Sequence, residues 1–482
     1  MLHSPPDQAN PDVNVQPLEI YFLAIGGTGM APLACLLQEQ GHRVRGTDGP
    51  LYPPMSTLLA AAGITPTVGY DAGHLTPRPD LIVIGNAIHR NNPEAVAAEG
   101  LGIPILSMPQ ALSRFFLERH QPLVVAGTHG KTTTTAIAAW VYMACGRDPG
   151  YLIGGAPQDL PASFRDGAGA RFVVEGDEYN AAYFDRGAKF LHYRPETLIL
   201  TSAEYDHADL YPTPEELFAA FARLVDLLPA SGLLVACGDS PKVRELARAA
   251  RCPVVFYGLE DGNDLRPVDP IEALPAGSRF RVRDAEAGDV EVTLPLAGGH
   301  NVANALGVWA AARRDGLPAV EVAGALARFH GVKRRLEELA TVRGVTVVDD
   351  FAHHPTAVEK TLGALRQRYP GRRVVVLFEP RSLTAGRAFF FLPYRNAFAG
   401  ADRVLFTPTF HSGRLAPEER LDFGDLAAAL RADGVAADLC AGTDDVLHRA
   451  LAEACDGDVL VTMSSGSFDG LPHRLAAALT AP

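Results

Sequence analysis

Short apolar runs, each long enough for a buried β-strand, alternate along this chain with longer stretches of helical period. Runs at 18–25 and 43–48 bracket a helical segment at 30–40, and another apolar run follows at 80–85. Such strand–helix–strand alternation predicts a parallel sheet. From residue 119 the pattern resumes: a run through Val124 and Val125 reaches a glycine turn, and a helix is expected over 136–143. Further strands are predicted at 171–175, 197–201, 232–236 and 253–257. A β-rich passage at 279–283 and 290–296 then precedes a helix at 301–314. The last stretch alternates again, with strands at 345–350, 373–378, 403–406 and 459–463. The expected fold is α/β in three blocks, 18–118, 119–338 and 339–482, after a tail at 1–17.

At 482 residues the chain is too long for one core, in keeping with several domains. Its start is rich in Pro, Asp and Asn, without a basic region or an apolar stretch, so a floppy tail is expected rather than a signal peptide. No apolar run approaches the roughly 18–20 residues of a membrane span. Six Cys (35, 145, 237, 252, 440, 455) stand singly with no CxxC pair, which fits core thiols in a reducing cytoplasm. The net charge of −13 argues against a nucleic-acid partner, yet a local basic pocket could still take a small anion. A cytoplasmic monomer or weak oligomer, without membrane attachment, is the expectation.

The densest chemistry lies at Gly127-Thr128-His129-Gly130-Lys131-Thr132-Thr133. A glycine turn between strand and helix offers backbone N–H groups to phosphates, the Lys neutralises β/γ charge, and the first Thr can hold Mg²⁺. Only five Lys occur in the chain, and one stands here. The spacing departs from the usual phosphate-loop pattern, because no Gly precedes Gly130 by five residues. ATP is the ligand this turn suggests.

Other clusters surround it in sequence. Gly26-Gly27-Thr28-Gly29, with Asp48 about 20 residues on, reads either as a dinucleotide-type turn or as tight packing. Strand-end acids follow at Glu175-Gly176-Asp177-Glu178 and Glu204-Tyr205-Asp206-His207, where Mg²⁺–ATP chemistry needs them. His300, Asn301 and Asn304 open a helix, either as an Asn cap or as one face that grips adenine. Lys333-Arg334-Arg335 is a solvated basic cluster or an Arg that reaches a γ-phosphate. Asp349-Asp350-Phe351-Ala352-His353-His354-Pro355 and Glu379-Pro380-Arg381-Ser382 both follow apolar strands, at a sheet's ligand edge.

Taken in order, these motifs resemble the Mur ligases, from near residue 18 to the C-terminus. The matching stretches are GTHGKTTTT at 127–135, EGDE at 175–178, EYDH at 204–207, GHNVANA at 299–305, Arg334-Arg335 and DDFAHHP at 349–355. The resemblance implies a Rossmann-like UDP domain, a P-loop ATPase-like central domain and a Rossmann-like C-terminal domain. It also implies an ATP-dependent amide ligase acting on UDP-N-acetylmuramate through an acyl phosphate. Tyr52-Pro53-Pro54-Met55, Arg90-Asn91-Asn92-Pro93, Lys189-Phe190-Leu191-His192-Tyr193-Arg194-Pro195 and Pro380-Arg381-Ser382 are similar to the branch that adds the murein tripeptide L-Ala-γ-D-Glu-meso-diaminopimelate. The L-alanine-adding branch and a non-catalytic nucleotide-binding paralogue are the alternatives. A polyglutamate-adding ligase for pterins fits the glycine-rich first block less well.

Carried over residue by residue, the resemblance makes Lys131, Glu175, His207 and Arg335 catalytic, with Thr132, Glu175 and His207 on Mg²⁺. Gly127 to Thr133, His300, Asn301, Asn304, Arg335 and Asp350 would bind ATP. Gly26, Gly27, Thr28, Gly29, Asp48 and Asn86 would bind the UDP-sugar, and His353, His354, Arg381 and Ser382 the peptide. Closure of the domains would bring these groups together. The chain departs from the family pattern at Ser202, Leu383 and Ser465, where Asn is usual, and at Ser467, where Gly is. No Lys falls between Lys189 and Lys242, so the carbamylated Lys of several relatives is not expected.

Overall fold

Three mainly parallel sheets carry the molecule, and the computed structural model describes residues 16–480. The tail expected at 1–17 lies, up to residue 15, outside the described residues. The first sheet runs Thr67–Val68, Arg43–Asp48, Glu19–Leu23, Leu81–Ile84, Ile105–Ser107, every pairing parallel. Strand order reverses beside Glu19–Leu23, which leaves a crevice at the C-terminal ends of that strand and Leu81–Ile84. Tyr21, Leu23, Ile82 and Ile84 alternate into the core on one face.

In the second sheet the order is Val254–Tyr257, Leu233–Cys237, Thr197–Leu200, Gln121–Ala126, Arg171–Gly176, Gly150–Leu152, Phe164–Arg165. Only the last pairing is antiparallel. Gln121–Ala126 is central and fully apolar after its first residue, as a strand covered on both faces must be. Its neighbours end at Leu200 and Gly176, in register with Ala126. The glycine turn and both groups of strand-end acids therefore leave the sheet side by side. The helix after the turn spans Lys131–Ala144, starting earlier than the apolar periodicity suggests. A three-stranded antiparallel sheet (Glu272–Leu274, Gly277–Asp284, Gly288–Leu294) packs into the same core.

The third sheet runs Glu337–Val342, Val345–Asp350, Val459–Met463, Val374–Phe378, Arg403–Phe406, Ala436–Leu439. Its first pairing is antiparallel, with an irregularity between Glu338 and Ala340. The described residues form two compact units: 16–115 with Ala181–Arg186, and the other described residues. The second and third sheets share the second unit. Among the described residues no helix is long and apolar enough to cross a membrane.

Candidate active site

Gly127 and Gly130 shape the turn after the central strand, with φ of 132° and 83°. Both angles lie where a side chain is strained. A Cβ on Gly127 would stand 2.3 Å from Thr201 Oγ1, and one on Gly130 2.9 Å from Asn304 Oδ1. The turn is bolted to the neighbouring strand end: His129 N donates to Ser202 Oγ at 2.8 Å, and Thr128 Oγ1 donates to Glu204 O at 2.9 Å. Ser202 thus does here the holding that its hydroxyl permits. Thr132 and Thr133 are buried in the helix's first turn, where N–H groups have no intrahelical acceptor.

Lys131 points back over this turn. Its Nζ donates to Gly127 O at 2.6 Å and to both carboxylate oxygens of Glu178 at 2.9 Å. Burial pulls the ammonium's pKa down, but Glu178, Asp177 and Glu175 outweigh it and leave the pKa raised. His207 Nε2 lies 2.9 Å from Glu178 Oε1, and its ring packs 4.3 Å from Tyr179. Burial lowers the His207 pKa, while Asp206 and Glu178 carry it above the ordinary value. Glu178 was one letter of a motif in the sequence, yet here it is the hub joining Lys131 and His207.

A second pair lies beside the first. Thr132 Oγ1 donates to Glu175 Oε1 at 2.9 Å, and Gly154 N donates to Glu175 Oε2 at 2.8 Å. A Cβ on Gly154 would stand 2.6 Å from that carboxylate, so the cradle closes around it. Burial raises the Glu175 pKa despite Lys131. Arg335 Nη2 donates to Thr132 Oγ1 at 3.3 Å, across 203 residues of chain. A hydroxyl and a carboxylate are the hard oxygen donors that suit Mg²⁺. His207 stands apart from this pair: among the described residues no hydrogen bond joins it to Thr132 or Glu175.

The adenine candidates follow Gly298, which caps the helix Gly299–Arg314, so neither Asn is the cap. Asn301 Nδ2 donates to Ala297 O at 2.8 Å, and Asn304 Nδ2 to Asn301 Oδ1 at 3.4 Å. Burial pushes His300 down to about 4, leaving a neutral ring. Asp350 accepts from Leu336 N at 2.7 Å and Ala352 N at 2.8 Å, which ties the strand end to the segment carrying Arg335.

Toward the third sheet, His353 Nδ1 lies 3.0 Å from Phe351 O, and His354 caps the helix Pro355–Arg368. Arg381 stacks 4.0 Å over the Phe410 ring and lies 3.3 Å from Glu379. Ser382 Oγ accepts from Ala385 N at 3.0 Å. Thr384 Oγ1 accepts from Ala208 N at 3.2 Å, so the loop after Arg381 reaches the His207 segment.

In the first unit, Asp48 accepts from Gly26 N and Gly49 N, both at 2.7 Å. Gly27 and Gly29 complete that turn; Thr28 and Asn86 are exposed at the ends of paired strands, on the crevice. Sequence reasoning passed over a hollow in the same unit lined by His89, Arg90, Tyr183, Phe184 and Arg186. Its cationic and aromatic side chains suit an anionic ligand. Arg90 lies in a quoted motif, but its distant partner Arg186 gave no signal.

With this geometry established, comparison with known proteins adds the family. Residues 19–120 match the family described as Mur ligase family, catalytic domain; 125–312 match the Mur ligase middle domain; and 334–466 match the Mur ligase, glutamate ligase domain. The chain is 37% identical over 464 residues to the UDP-N-acetylmuramate–L-alanyl-γ-D-glutamyl-meso-2,6-diaminoheptandioate ligase of Escherichia coli (strain K12), covering 96% of this chain and 98% of the relative. It is 36% identical over 474 residues to the UDP-N-acetylmuramate–L-alanine ligase of Methylibium petroleiphilum, at 96% and 98% coverage. A solved structure of the murein peptide ligase from Psychrobacter arcticus 273-4 superposes with a TM-score of 0.72 at 32% identity, covering 96% of this chain and 99% of that one.

Proposed function

The chain belongs to the Mur ligase family, and from that premise we propose that it joins the tripeptide L-Ala-γ-D-Glu-meso-diaminopimelate to UDP-N-acetylmuramate. Mur ligases are ATP-using enzymes that form carbon–nitrogen bonds. The observation that carries the catalytic reading is the convergence of Lys131, Thr132, Glu175, Glu178 and Arg335 on one buried glycine turn. Similarity to tripeptide-adding relatives and the half-buried guanidinium of Arg381 support the acceptor.

The reaction brings a carboxylate to a triphosphate, so charge is its central difficulty. Lys131 exchanges Glu178 for phosphate oxygens, and Arg335, already on Thr132, neutralises charge developing on the transferred group. Thr132 and Glu175 would hold Mg²⁺, which when bound supplies further neutralisation. His300, Asn301 and Asn304 hold the base, while Gly26 to Gly29, Asp48 and Asn86 hold the UDP moiety. The lactyl carboxylate attacks the γ-phosphorus, the bond to ADP breaks, and an acyl phosphate forms. The peptide's amine then attacks the acyl carbon, phosphate leaves, and the amine proton is released. Arg381 meets a carboxylate of the peptide.

A second reading, L-alanine as acceptor, is favoured by the relatives of that name and by Leu383 where Asn is usual. ADP release in the presence of Mg²⁺, ATP and UDP-N-acetylmuramate separates the two. Turnover with the tripeptide and not with L-alanine is expected. Turnover with L-alanine alone would move the protein to the second reading.

A further inference from the structure

At the phosphate turn, three side chains from distant parts of the chain meet. His129 belongs to the turn, Glu204 to the end of Thr197–Leu200, and His354 to the cap of Pro355–Arg368. One nitrogen of each ring and one Glu204 oxygen lie within 4.8 Å of one another. The rings face each other with centroids 4.5 Å apart. His354 is 6% exposed, and its Nε2 is buried without a hydrogen-bond partner. The His129 Nε2 is likewise buried and unpartnered, although it stands 3.4 Å from Glu204 Oε2.

His129 Nε2 faces the Glu204 carboxylate at 3.4 Å, His354 meets it through Nδ1 at 3.8 Å, and His354 Nε2 is left buried without a partner, a loss of hydration worth about 1–3 kcal/mol. The geometry points to a binding site for a divalent transition cation, Zn²⁺ above all, held by His129, Glu204 and His354 and separate from the Thr132–Glu175 pair.

Donor chemistry selects the ion. Two imidazoles with one carboxylate form a set that Zn²⁺ takes readily, and Mg²⁺, which prefers all-oxygen ligands, does not. Two donors on one tetrahedral zinc stand about 3.3–3.5 Å apart, so the 3.4 Å between His129 and Glu204 already fits. His354 Nδ1 is 3.8 Å from the same oxygen and accepts from Thr356 N at 3.3 Å, the bond that a metal there would displace. Buried Asp206 lies close enough to act on both rings and adds a second negative charge. The Glu204 side chain is 36% exposed, which gives an ion a way in. Thr356 Oγ1 donates to Glu204 Oε2 at 2.5 Å and orients the carboxylate.

The test uses the full chain, stripped with a chelator and titrated calorimetrically with Zn²⁺ alone, without nucleotide. Wild type and the Glu175→Gln/His207→Ala double variant are expected to bind one equivalent at this site with similar affinity. Glu204→Gln and His354→Asn are expected to weaken it at least tenfold. Asn preserves a helix-capping acceptor while removing the imidazole, so His354→Asn separates ligation from capping. Thermal unfolding without metal checks that each variant is folded, and Glu204→Gln alone carries the reading if His354→Asn is not. Absorption of bound Co²⁺ in the visible should change in the same two variants. Unchanged Zn²⁺ affinity in both, failure of wild type to bind, or loss of the site in the double variant would each overturn the proposal.

Discussion

Two glycine turns in this molecule do the same backbone work, one after Glu19–Leu23 and one after Gln121–Ala126. Each ends a parallel strand at the centre of its sheet and starts a helix. What differs is the side chain the neighbouring strand end supplies. At the first turn it is a carboxylate, Asp48, spent on Gly26 N and Gly49 N. At the second, Glu175 and Glu178 bind a hydroxyl and an ammonium. A turn of this kind offers a phosphate a seat in either place. The second turn also carries an ammonium, that of Lys131, and under the proposed function the distinction between holding a ligand and transforming it rests there.

The comparison breaks most sharply at Lys131. Replacing Lys131 by Ala should lower ADP formation by on the order of 10³-fold while leaving UDP-N-acetylmuramate binding intact. Steady-state rates beside calorimetric titration of the sugar nucleotide check both halves; a loss under tenfold would make the two turns alike. Gly130→Ala should act next most strongly. Its φ of 83° and the 2.9 Å approach to Asn304 predict a cost of about 1–3 kcal/mol, read from the denaturant midpoint, with a raised KM for ATP. The smallest effect belongs to Asp48→Ala, which frees two backbone donors at the first turn. It should weaken UDP-N-acetylmuramate about tenfold, close to 1.4 kcal/mol, with kcat at saturation unchanged. A fall in kcat instead would mean that the first turn shapes the chemistry as well.

Much of the scaffold could be read in the residues. Strands Val345–Asp350 and Val459–Met463 occupy the positions the sequence predicts and are buried along their whole length, while Arg43–Asp48 and Arg403–Phe406 also fall where expected although each starts on an Arg that is not buried. The antiparallel strand Glu337–Val342 was hidden: it is half-buried at a sheet edge, and it opens with two glutamates directly after the Lys333-Arg334-Arg335 cluster. The hairpin Asn180–Ala182 with Asp185–Ala188 was too short to show. At the site, Lys131 and Thr132 were legible from local spacing. The bond from Lys131 to Glu178 spans 47 residues, and that from Arg335 to Thr132 spans 203. Such partnerships depend on strand order, which periodicity does not encode.

Arg334 and Arg335 have a consequence of another kind. Arg334 has a φ of 61° and Leu336 one of 52°, which turns the backbone on either side of Arg335. Arg334 donates to Ser464 O at 2.8 Å and lies 3.2 Å from Asp349, so it grips the third sheet. Its neighbour reaches Thr132, and both guanidinium groups rest on the Phe351 ring, at 5.0 and 4.8 Å. Adjacent residues thus hold opposite ends of one short lever with an aromatic fulcrum. The third sheet and the phosphate turn are thus joined through a single peptide unit, with one aromatic ring packed against both side chains that make the connection.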